Sequence, residues 1–460
     1  MEHGSLITHR AQTAHSQTLM SQSMYRSRVL WCIALLWLFT SSFASAKNFK
    51  VGFGKQNITP SRPMPMWGYG ARHDALSTGV NDPLYAKAVV IEAGNDRLAI
   101  VGLDLGRSPA GDSMERIRKA ILDEFKIEWV MLCGSHTHHG PVIELRDRAG
   151  EGKGRFDDAV AYAADLEAKI VQAIGTAVGN LQDAKMGWGS QNVSMNRNRH
   201  SKIEPKPVDP ELGVIRLDNL EGKPIALLVN YAAHPTMLKT EDLRYSADWP
   251  GQMMKATEMA LQTNCVFLQG ASGDLSPQPT EATRSIEAFG AKLSESVIAV
   301  HNSITTTVPQ RPSIRAKRRT FEFASRLPLR EPLTQMVFRQ AFFPELVTAT
   351  LAAEAKDDKV RPEMTTLLIN RQLALVGASG EFFCQHANSL KQRSRAEETF
   401  FIGYCNGHHM YFPTIEGAAE GGYGADPTVS WVELGAGENM INQALIDLFT
   451  MQGSFLPPFP

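Results

Sequence analysis

The residues best suited to chemistry in this sequence follow one apolar run. Residues 129–134 (WVMLCG) are strand-like, and His136, His138 and His139 come next, before a Gly-Pro step. Histidine is the commonest metal-ligand side chain, and alternate histidines at the end of a strand can turn one imidazole to a metal and the next to a substrate. A polar loop whose histidines only hydrogen-bond to backbone is the alternative, which suits a single histidine better than a triplet ending a buried strand. The stretch predicts a functional site.

Four later apolar runs also end in residues that can bind or ionise. The groups at the five run ends are His136/His138/His139, His234, Asp274/Ser276, Glu381 and His408/His409/Tyr411. In sheets with parallel strands the ligand site lies beyond the carboxyl ends of the strands, so we expect these groups to converge. Two or three imidazoles with one carboxylate are the ligand set of a catalytic zinc ion that keeps a position open for water. Such an ion suits hydrolysis of an amide or an ester.

A serine-hydrolase interpretation is weaker. The run at 270–273 (GASG) lacks the glycine spacing of a nucleophile elbow, and no base is singled out for Ser272.

The elements around these runs predict the fold. A helix that begins after Ser108 has apolar residues at helical spacing from 114 to 125 and leads directly into the strand at 129–134. Because the strands on both sides of this helix are almost wholly apolar, we expect an α/β fold. Its buried sheet or sheets should be mixed, largely parallel and flanked by helices, with the active site at the carboxyl ends of the strands. The apolar segment 333–355 is expected to be a core helix, and contact of Phe338, Phe342 and Phe343 with lipid is the alternative.

The chain has 460 residues and a formal net charge of -1, which indicates neither disorder nor nucleic-acid binding. Residues 1–46 predict a secretory signal peptide, because two arginines precede an apolar run at 29–39 and a small-residue cleavage pattern ends at Ala46. An uncleaved anchor is the weaker alternative, since the run is short for a bilayer. The polar stretch before Met20 is consistent with an upstream start codon. We expect residues 47–460 to be one catalytic domain, secreted or periplasmic.

Four of the five cysteines lie beyond residue 46, in apolar runs. They are Cys133, Cys265, Cys384 and Cys405. Their spacing matches no zinc knuckle, and buried thiols are the default expectation. A disulfide between two of them stays open, because the sequence cannot pair them.

The order of several motifs resembles the neutral ceramidase family, zinc amidohydrolases that cleave ceramide into sphingosine and a fatty acid. The resemblance runs from about Val51 to the C-terminus, and the ordered set is more specific than any single motif. The motifs are GFGKQNITP, GYG, DPLYAKA, GSHTHHGP, MNRNR, NYAAHP, SADWPG, LQGASGDLSPQ, GASGEFF and CNGHHMY.

The resemblance implies a site and a reaction. It places one zinc ion per chain on His136, His234, Glu381 and Tyr411, although spacing alone would not favour Tyr411 over His408 or His409. It also places His138, Arg197, Ser276 and Tyr423 in the substrate pocket. We expect Asp274, which shares a strand end with Ser276, to bind substrate as well. We expect a zinc-activated water to attack the amide carbon, Tyr423 to stabilise the oxyanion, and His138 to shuttle a proton. Ser276 would hold a substrate hydroxyl and Arg197 a polar head.

The sequence departs from the family's pattern in the pocket wall. Asn57 replaces an aspartate, His139 replaces a small residue and Gly424 replaces a glutamate. The loop 412–422 is also unlike the family's loop. We expect no immunoglobulin-like domain after the catalytic domain. We expect the reaction type to be kept and the substrate to be ceramide or a related N-acylated amine. A zinc hydrolase of another ester or phosphoester, or a non-catalytic lipid- or glycan-binding relative, is the alternative. We expect a small-molecule lipid as partner, with no nucleic acid and no obligate protein partner; peripheral contact with a membrane stays open.

Overall fold

The structure is a computed structural model, and it describes residues 49–455 apart from residues 355 and 356. The predicted signal segment 1–46 lies outside the described residues. The strands are β1 (Phe49–Asn57), β2 (Gly79–Val80), β3 (Tyr85–Ala93), β4 (Asp96–Leu103), β5 (Trp129–Gly134), β6 (Gln182–Asn192), β7 (Asn196–Asn198), β8 (Glu211–Asn219), β9 (Pro224–Tyr231), β10 (Arg244–Tyr245), β11 (Asn264–Gln269), β12 (Leu275–Pro277), β13 (Ile314–Thr320), β14 (Phe323–Ala324), β15 (Lys359–Val360), β16 (Glu363–Ile369), β17 (Leu373–Ala378), β18 (Glu381–Phe382), β19 (Glu398–Ile402) and β20 (Tyr411–Phe412). The α-helices are α1 (Gly111–Phe125), α2 (Asp157–Gly179), α3 (Asp248–Leu261), α4 (Ile286–Ser303), α5 (Pro332–Ala341), α6 (Pro344–Glu354), α7 (Cys384–Arg393), α8 (Ile415–Glu420) and α9 (Ala436–Gln452). Short 3-10 helices lie at Gly70–Arg72 and Glu281–Thr283.

Two sheets form the centre of the molecule. The larger has eight strands in the order β11-β9-β8-β6-β1-β3-β4-β5, and the smaller has four in the order β13-β16-β17-β19. Because side chains alternate between the two faces of a strand, neighbouring residues of β3 enter different cores. Ala88 and Val90 pack under α1 and α2, whereas Val89 and Ile91 pack against the second sheet. Helices α3 and α4 cover the β8-β9-β11 end of the large sheet, and α7 and α9 cover the outer face of the small one.

The mixed α/β architecture is confirmed, but its sheets are not largely parallel. Of the seven neighbouring strand pairs in the large sheet, β9-β11 and β4-β5 are parallel, and of the three in the small sheet, β17-β19 is parallel. The other pairs in these two sheets are antiparallel. The apolar runs misled the prediction because a strand between a helical layer and a second sheet is buried on both faces, as parallel strands usually are. The parallel pairs include the strands that lead into the site.

The helix expected after Ser108 is α1, which buries Met114, Ile117 and Ile121. The single core helix expected at 333–355 is wrong: Pro344 begins a second helix, so the segment divides into α5 and α6. Helix α5 buries Phe338 but leaves Leu333 69% exposed. Within the described residues, none of the helices combines the length and the apolar character that crossing a membrane requires.

All four cysteines in the described part of the chain are buried and free. The expectation of buried thiols therefore holds.

Candidate metal centre

The ends of three strands deliver the central side chains of the site. His136 follows β5, His234 follows β9, and Glu381 begins β18 three residues after β17. The backbone of His136 is left-handed, with φ 67°, and its N–H donates to the carbonyl of Leu105 at 2.9 Å. A non-glycine residue in this region carries conformational strain, which is common at functional sites.

Three side-chain atoms form a nearly equilateral triangle. His136 Nε2 lies 3.1 Å from His234 Nε2, and Glu381 Oε2 lies 3.3 Å from each of these nitrogens. Ligands at the usual zinc bond lengths of about 2.0–2.2 Å stand about 3.3 Å apart in a tetrahedron. The triangle therefore has the dimensions of one face of a tetrahedral metal site.

The hydrogen bonds of the two imidazoles show what the triangle can bind. His136 Nδ1 lies 2.9 Å from the carbonyl oxygen of Gly106, and His234 Nδ1 lies 2.7 Å from that of Ser272. A carbonyl only accepts, so Nδ1 carries the proton in both rings and both Nε2 atoms present lone pairs. Two lone pairs 3.1 Å apart repel each other unless a cation lies between them. Such backbone partners are the usual outer shell of metal-binding histidines.

The protonation states agree with this reading. Burial and the nearby Arg199 guanidinium lower the pKa of His234 to about 3, so its ring is neutral at pH 7. Burial alone would raise the pKa of Glu381, but the surrounding imidazoles outweigh it and hold that pKa well below its usual range. Within the described part of the chain, Glu381 Oε2 is a buried oxygen that receives no hydrogen bond. The residues present therefore fit a divalent cation.

The fourth predicted ligand lies beside this triangle. Tyr411 is paired directly with Glu381 across the parallel β18-β20 bridge, and its side chain is buried. Its hydroxyl accepts a hydrogen bond from Arg199 Nη2 at 3.1 Å. The same nitrogen lies 2.9 Å from His234 Nε2 and 3.0 Å from the Gly273 carbonyl oxygen. Arg199 thus touches two of the four predicted ligands.

The structure does not bring Arg197 to this group. Asn196 and Asn198 on β7 turn inward, so the residue between them turns outward, and Arg197 is exposed. The side chain of Asn198 donates to Asp274 at 2.7 Å and accepts from the backbone of His200 at 2.8 Å. The resulting turn directs Arg199 to the site in place of Arg197.

His138 is the third imidazole. Its Nε2 lies 3.4 Å from His136 Nε2, and these two rings and His234 form one group that could hold a metal. Trp67 lies edge-on to both rings, 5.0 Å from His136 and 5.4 Å from His138. Glycine is required at 106 for this packing, because a Cβ there would lie 2.1 Å from the Trp67 ring. Burial and the neighbouring imidazoles hold the pKa of His138 well below its usual range.

The remaining predicted residues lie further out. Asp274 is buried and accepts from the backbone N–H of Cys384 at 2.7 Å, so in this structure it secures the start of α7. Ser276 is buried on β12, paired with Arg197 of β7. Tyr423 is 67% exposed, with its ring 5.6 Å from that of Tyr411. Of these three, Tyr423 lines the cavity described next.

An apolar cleft opens directly onto the group. Glu381, His138 and Tyr411 lie among its lining residues. Its apolar walls are formed by Met66, Trp67, Phe338, Phe342, Phe343, Leu346, Val347, Leu351, Met410 and Trp431. The cleft suits a long apolar ligand with a polar group at one end.

Comparison with known proteins decides the family. A family model described as neutral/alkaline non-lysosomal ceramidase, N-terminal, matches residues 49–307, more than half of the chain. The chain belongs to this family.

Relatives of this neutral/alkaline ceramidase family member differ in how much they share with it. Neutral ceramidase 3 of Arabidopsis thaliana is 26% identical over 233 residues, which are 46% of this chain and 30% of that protein. The crystal structure of neutral ceramidase from Pseudomonas aeruginosa matches with a TM-score of 0.71 at 17% identity, covering 89% of this chain and 75% of that one. A structure described as ceramidase complexed with C2 matches with a TM-score of 0.70 at 17% identity, covering 90% and 76%. The two solved structures share the fold.

Two further histidines of this ceramidase-family chain face away from the triangle. His139 Nε2 lies 2.6 Å from Arg72 Nη2, and His409 Nδ1 lies 3.0 Å from Ser379 Oγ. His408 is different, since its Nε2 lies 3.0 Å from Glu381 Oε1. His136, Glu381 and His408 form a second group that could hold a metal.

Sequence reasoning missed Arg199, Trp67 and Arg107 as members of the site. The loop 196–200 contains Arg197 and Arg199, and nothing in its sequence favours Arg199 over Arg197. Trp67 lies in a loop before β3 and Arg107 in the loop after β4, and both residues line the cleft. Their packing depends on tertiary contacts that no local pattern announces.

Proposed function

We propose that this chain is a zinc-dependent amidohydrolase that cleaves the N-acyl bond of ceramide or of a related N-acylated amine. Water and the amide would give a fatty acid and a sphingoid base. The observation that carries the proposal is the triangle of His136 Nε2, His234 Nε2 and Glu381 Oε2, with sides of 3.1–3.3 Å, at the end of an apolar cleft. Membership of the family and the names of the relatives support the substrate class.

The donor set favours zinc. Two neutral imidazoles, one carboxylate and the Tyr411 oxygen are nitrogen and oxygen ligands of the kind found in catalytic zinc sites. When bound, zinc in such a site lowers the pKa of a coordinated water to about 7 and polarises a carbonyl oxygen.

The chain's own residues supply the rest of the proposed mechanism. His138 is neutral and lines the cleft, so it can take the proton released when water attacks the amide carbon and give it to the leaving nitrogen. Tyr423 stands at the rim, where its hydroxyl can donate to the oxygen of the scissile carbonyl. Arg199 keeps the Tyr411 oxygen in place. Burial holds the pKa of the Tyr411 hydroxyl well above its usual range, and the Arg199 guanidinium opposes that shift.

The apolar walls would receive a hydrocarbon chain. Ten of the cleft's lining residues carry apolar aliphatic or aromatic side chains, which favours a lipid over a sugar or a peptide. We also propose that the mature protein is exported, on the signal-like pattern of residues 1–46. Cell fractionation with N-terminal sequencing would test this: we expect the protein outside the cytoplasm with its N-terminus just after Ala46, and full-length protein retained in the cytoplasm would contradict it.

Metal analysis and a substrate panel test the function. We expect about one zinc per chain, loss of activity on chelation and recovery with zinc. A panel of matched N-acyl, O-acyl and phosphate lipids should show hydrolysis of the N-acyl member. Hydrolysis of only the O-acyl or phosphate members would refute the amidase proposal, and lipid binding without turnover by the zinc-loaded protein would identify a binding module.

A further inference from the structure

One side chain beside the triangle has a proton position that the chain itself fixes. His408 is fully buried, with Nδ1 lying 3.2 Å from Arg107 Nη1 and Nε2 lying 3.0 Å from Glu381 Oε1. A guanidinium only donates, so Nδ1 must accept, and the proton of the neutral ring is on Nε2. His408 therefore donates to Glu381 Oε1.

Arg107 is held in turn by a carboxylate. Its Nε forms an ion pair with Glu144, and both side chains are nearly buried, at 6% and 9% exposure. The ion pair fixes the direction of the guanidinium, which in turn fixes the ring of His408. Glu144, Arg107, His408 and Glu381 form a continuous series of contacts that ends on the candidate metal ligand.

We infer that His408 is a positioning residue that holds Glu381 by Oε1, so that Oε2 alone faces the two imidazoles, and is not itself a metal ligand. Its Nε2 carries a proton and is engaged, whereas the Nε2 atoms of His136 and His234 present lone pairs. Of the three residues in the group His136, Glu381 and His408, the first two would therefore bind the metal, and His408 would contact Glu381 without binding the metal itself. The His408 ring lies 6.1 Å from the His136 ring, and Tyr404 stacks on the His136 ring at 4.0 Å.

This inference rests on the proposed metal site, and metal affinity is its readout. Zinc dissociation constants would be measured by competition with a chromogenic chelator for the wild type and two variants. His408→Leu removes the donor and should weaken zinc binding about 10- to 100-fold, the range found when an outer-shell partner is lost. His408→Gln can place an amide N–H near the position of Nε2 and should restore most of the affinity.

The neighbouring histidine is the matched control. His409→Gln changes a neighbouring buried ring that contacts Ser379 and should leave zinc affinity unchanged. Circular dichroism and thermal unfolding of the metal-free variants would show that each is folded. If His408→Leu does not fold, the test uses His408→Gln alone. The zinc affinity of that variant must then stay near that of the wild type.

Cobalt substitution separates a positioning residue from a ligand. The visible spectrum of the cobalt-loaded protein should be the same in wild type and His408→Gln, because the ligands are unchanged. A changed spectrum in this variant would overturn the inference by making His408 a ligand, and so would wild-type affinity in His408→Leu. Failure of the wild type to bind zinc or cobalt would instead refute the proposed function.

Discussion

Replacing Arg199 with methionine tests how the site is assembled, because the chain supplies its own control two residues away. Arg199 Nη2 contacts His234 Nε2, the Gly273 carbonyl and the Tyr411 hydroxyl at 2.9, 3.0 and 3.1 Å. With a metal bound, the lone pair of His234 is directed to the ion, and Gly273 and Tyr411 remain as acceptors. The guanidinium then holds the Tyr411 oxygen and opposes the effect of burial on its pKa.

The magnitude follows from one charged hydrogen bond. Such a bond contributes about 1.5–3 kcal/mol, and about 1.4 kcal/mol corresponds to tenfold in rate, so kcat/KM should fall about 10- to 150-fold in Arg199→Met. Arg197→Met removes an exposed guanidinium that does not line the cleft. Exposed substitutions usually change free energies by less than about 0.5 kcal/mol, so its kcat/KM should stay within about twofold.

The assay is hydrolysis of a fluorescent ceramide by zinc-loaded protein, with zinc content and thermal unfolding measured on the same samples. We expect Arg199→Met to remain folded and to retain zinc while its turnover falls. A large loss in Arg197→Met with little loss in Arg199→Met would show that the geometric assignment is wrong and that the motif resemblance placed the arginine correctly.

Three further predictions concern the ligands, the packing and the pH dependence. His234→Ala should lose zinc, because it removes one corner of the triangle, whereas Ser276→Ala should keep zinc; equal metal content in the two purified variants would contradict the assigned roles. Gly68→Ala should retain zinc but lose turnover. Gly68 has φ +108°, and a Cβ there would lie 2.6 Å from Cγ of His138, so the alanine should displace that ring. An unchanged kcat would contradict a catalytic role for His138. The metal-free protein should lose stability as the pH falls from about 6.5 to about 4. Burial lowers the pKa of His139 to about 4, so the unfolded chain takes up this proton at a higher pH than the folded chain does. The free energy of unfolding should therefore fall by up to about 1.4 kcal/mol per pH unit. Urea midpoints at pH 7 and pH 5 check this, and a midpoint that does not fall would exclude it.

The sequence predicted that polar residues at the ends of apolar strands converge, and the structure brings three of them together for a physical reason. Apolar runs that stop at a polar residue locate the end of a buried strand, and His136, His234 and Glu381 each follow such a run. Parallel pairing places the carboxyl ends of β4 and β5, of β9 and β11, and of β17 and β19 side by side, and contacts of β11 with β4 and β5 bring the two ends of the large sheet together. Periodicity also gave α1 its position and its buried face.

The sheet topology could not be predicted in the same way. A run that is apolar at every position reports burial on both faces but not the direction of the neighbouring strand, and here the second face is covered by another sheet. The roles of Arg199 and His408 were equally hidden. Each depends on a hydrogen-bond partner more than 25 residues away in sequence, His234 for Arg199 and Glu381 for His408.

The candidate ligands come from both sheets, and this division has a consequence for the protein's lifetime. His136 and His234 follow strands of the large sheet, while Glu381 follows β17 of the small one. An ion bound by all three would cross-link the two layers, and at a free concentration 1,000 times its Kd it would add about 4 kcal/mol to the free energy of unfolding. A chelator should therefore lower Tm as well as activity. In an organism short of this metal the protein would unfold more often and be degraded sooner. The supply of the ion would then set both the amount of the protein and its catalytic rate.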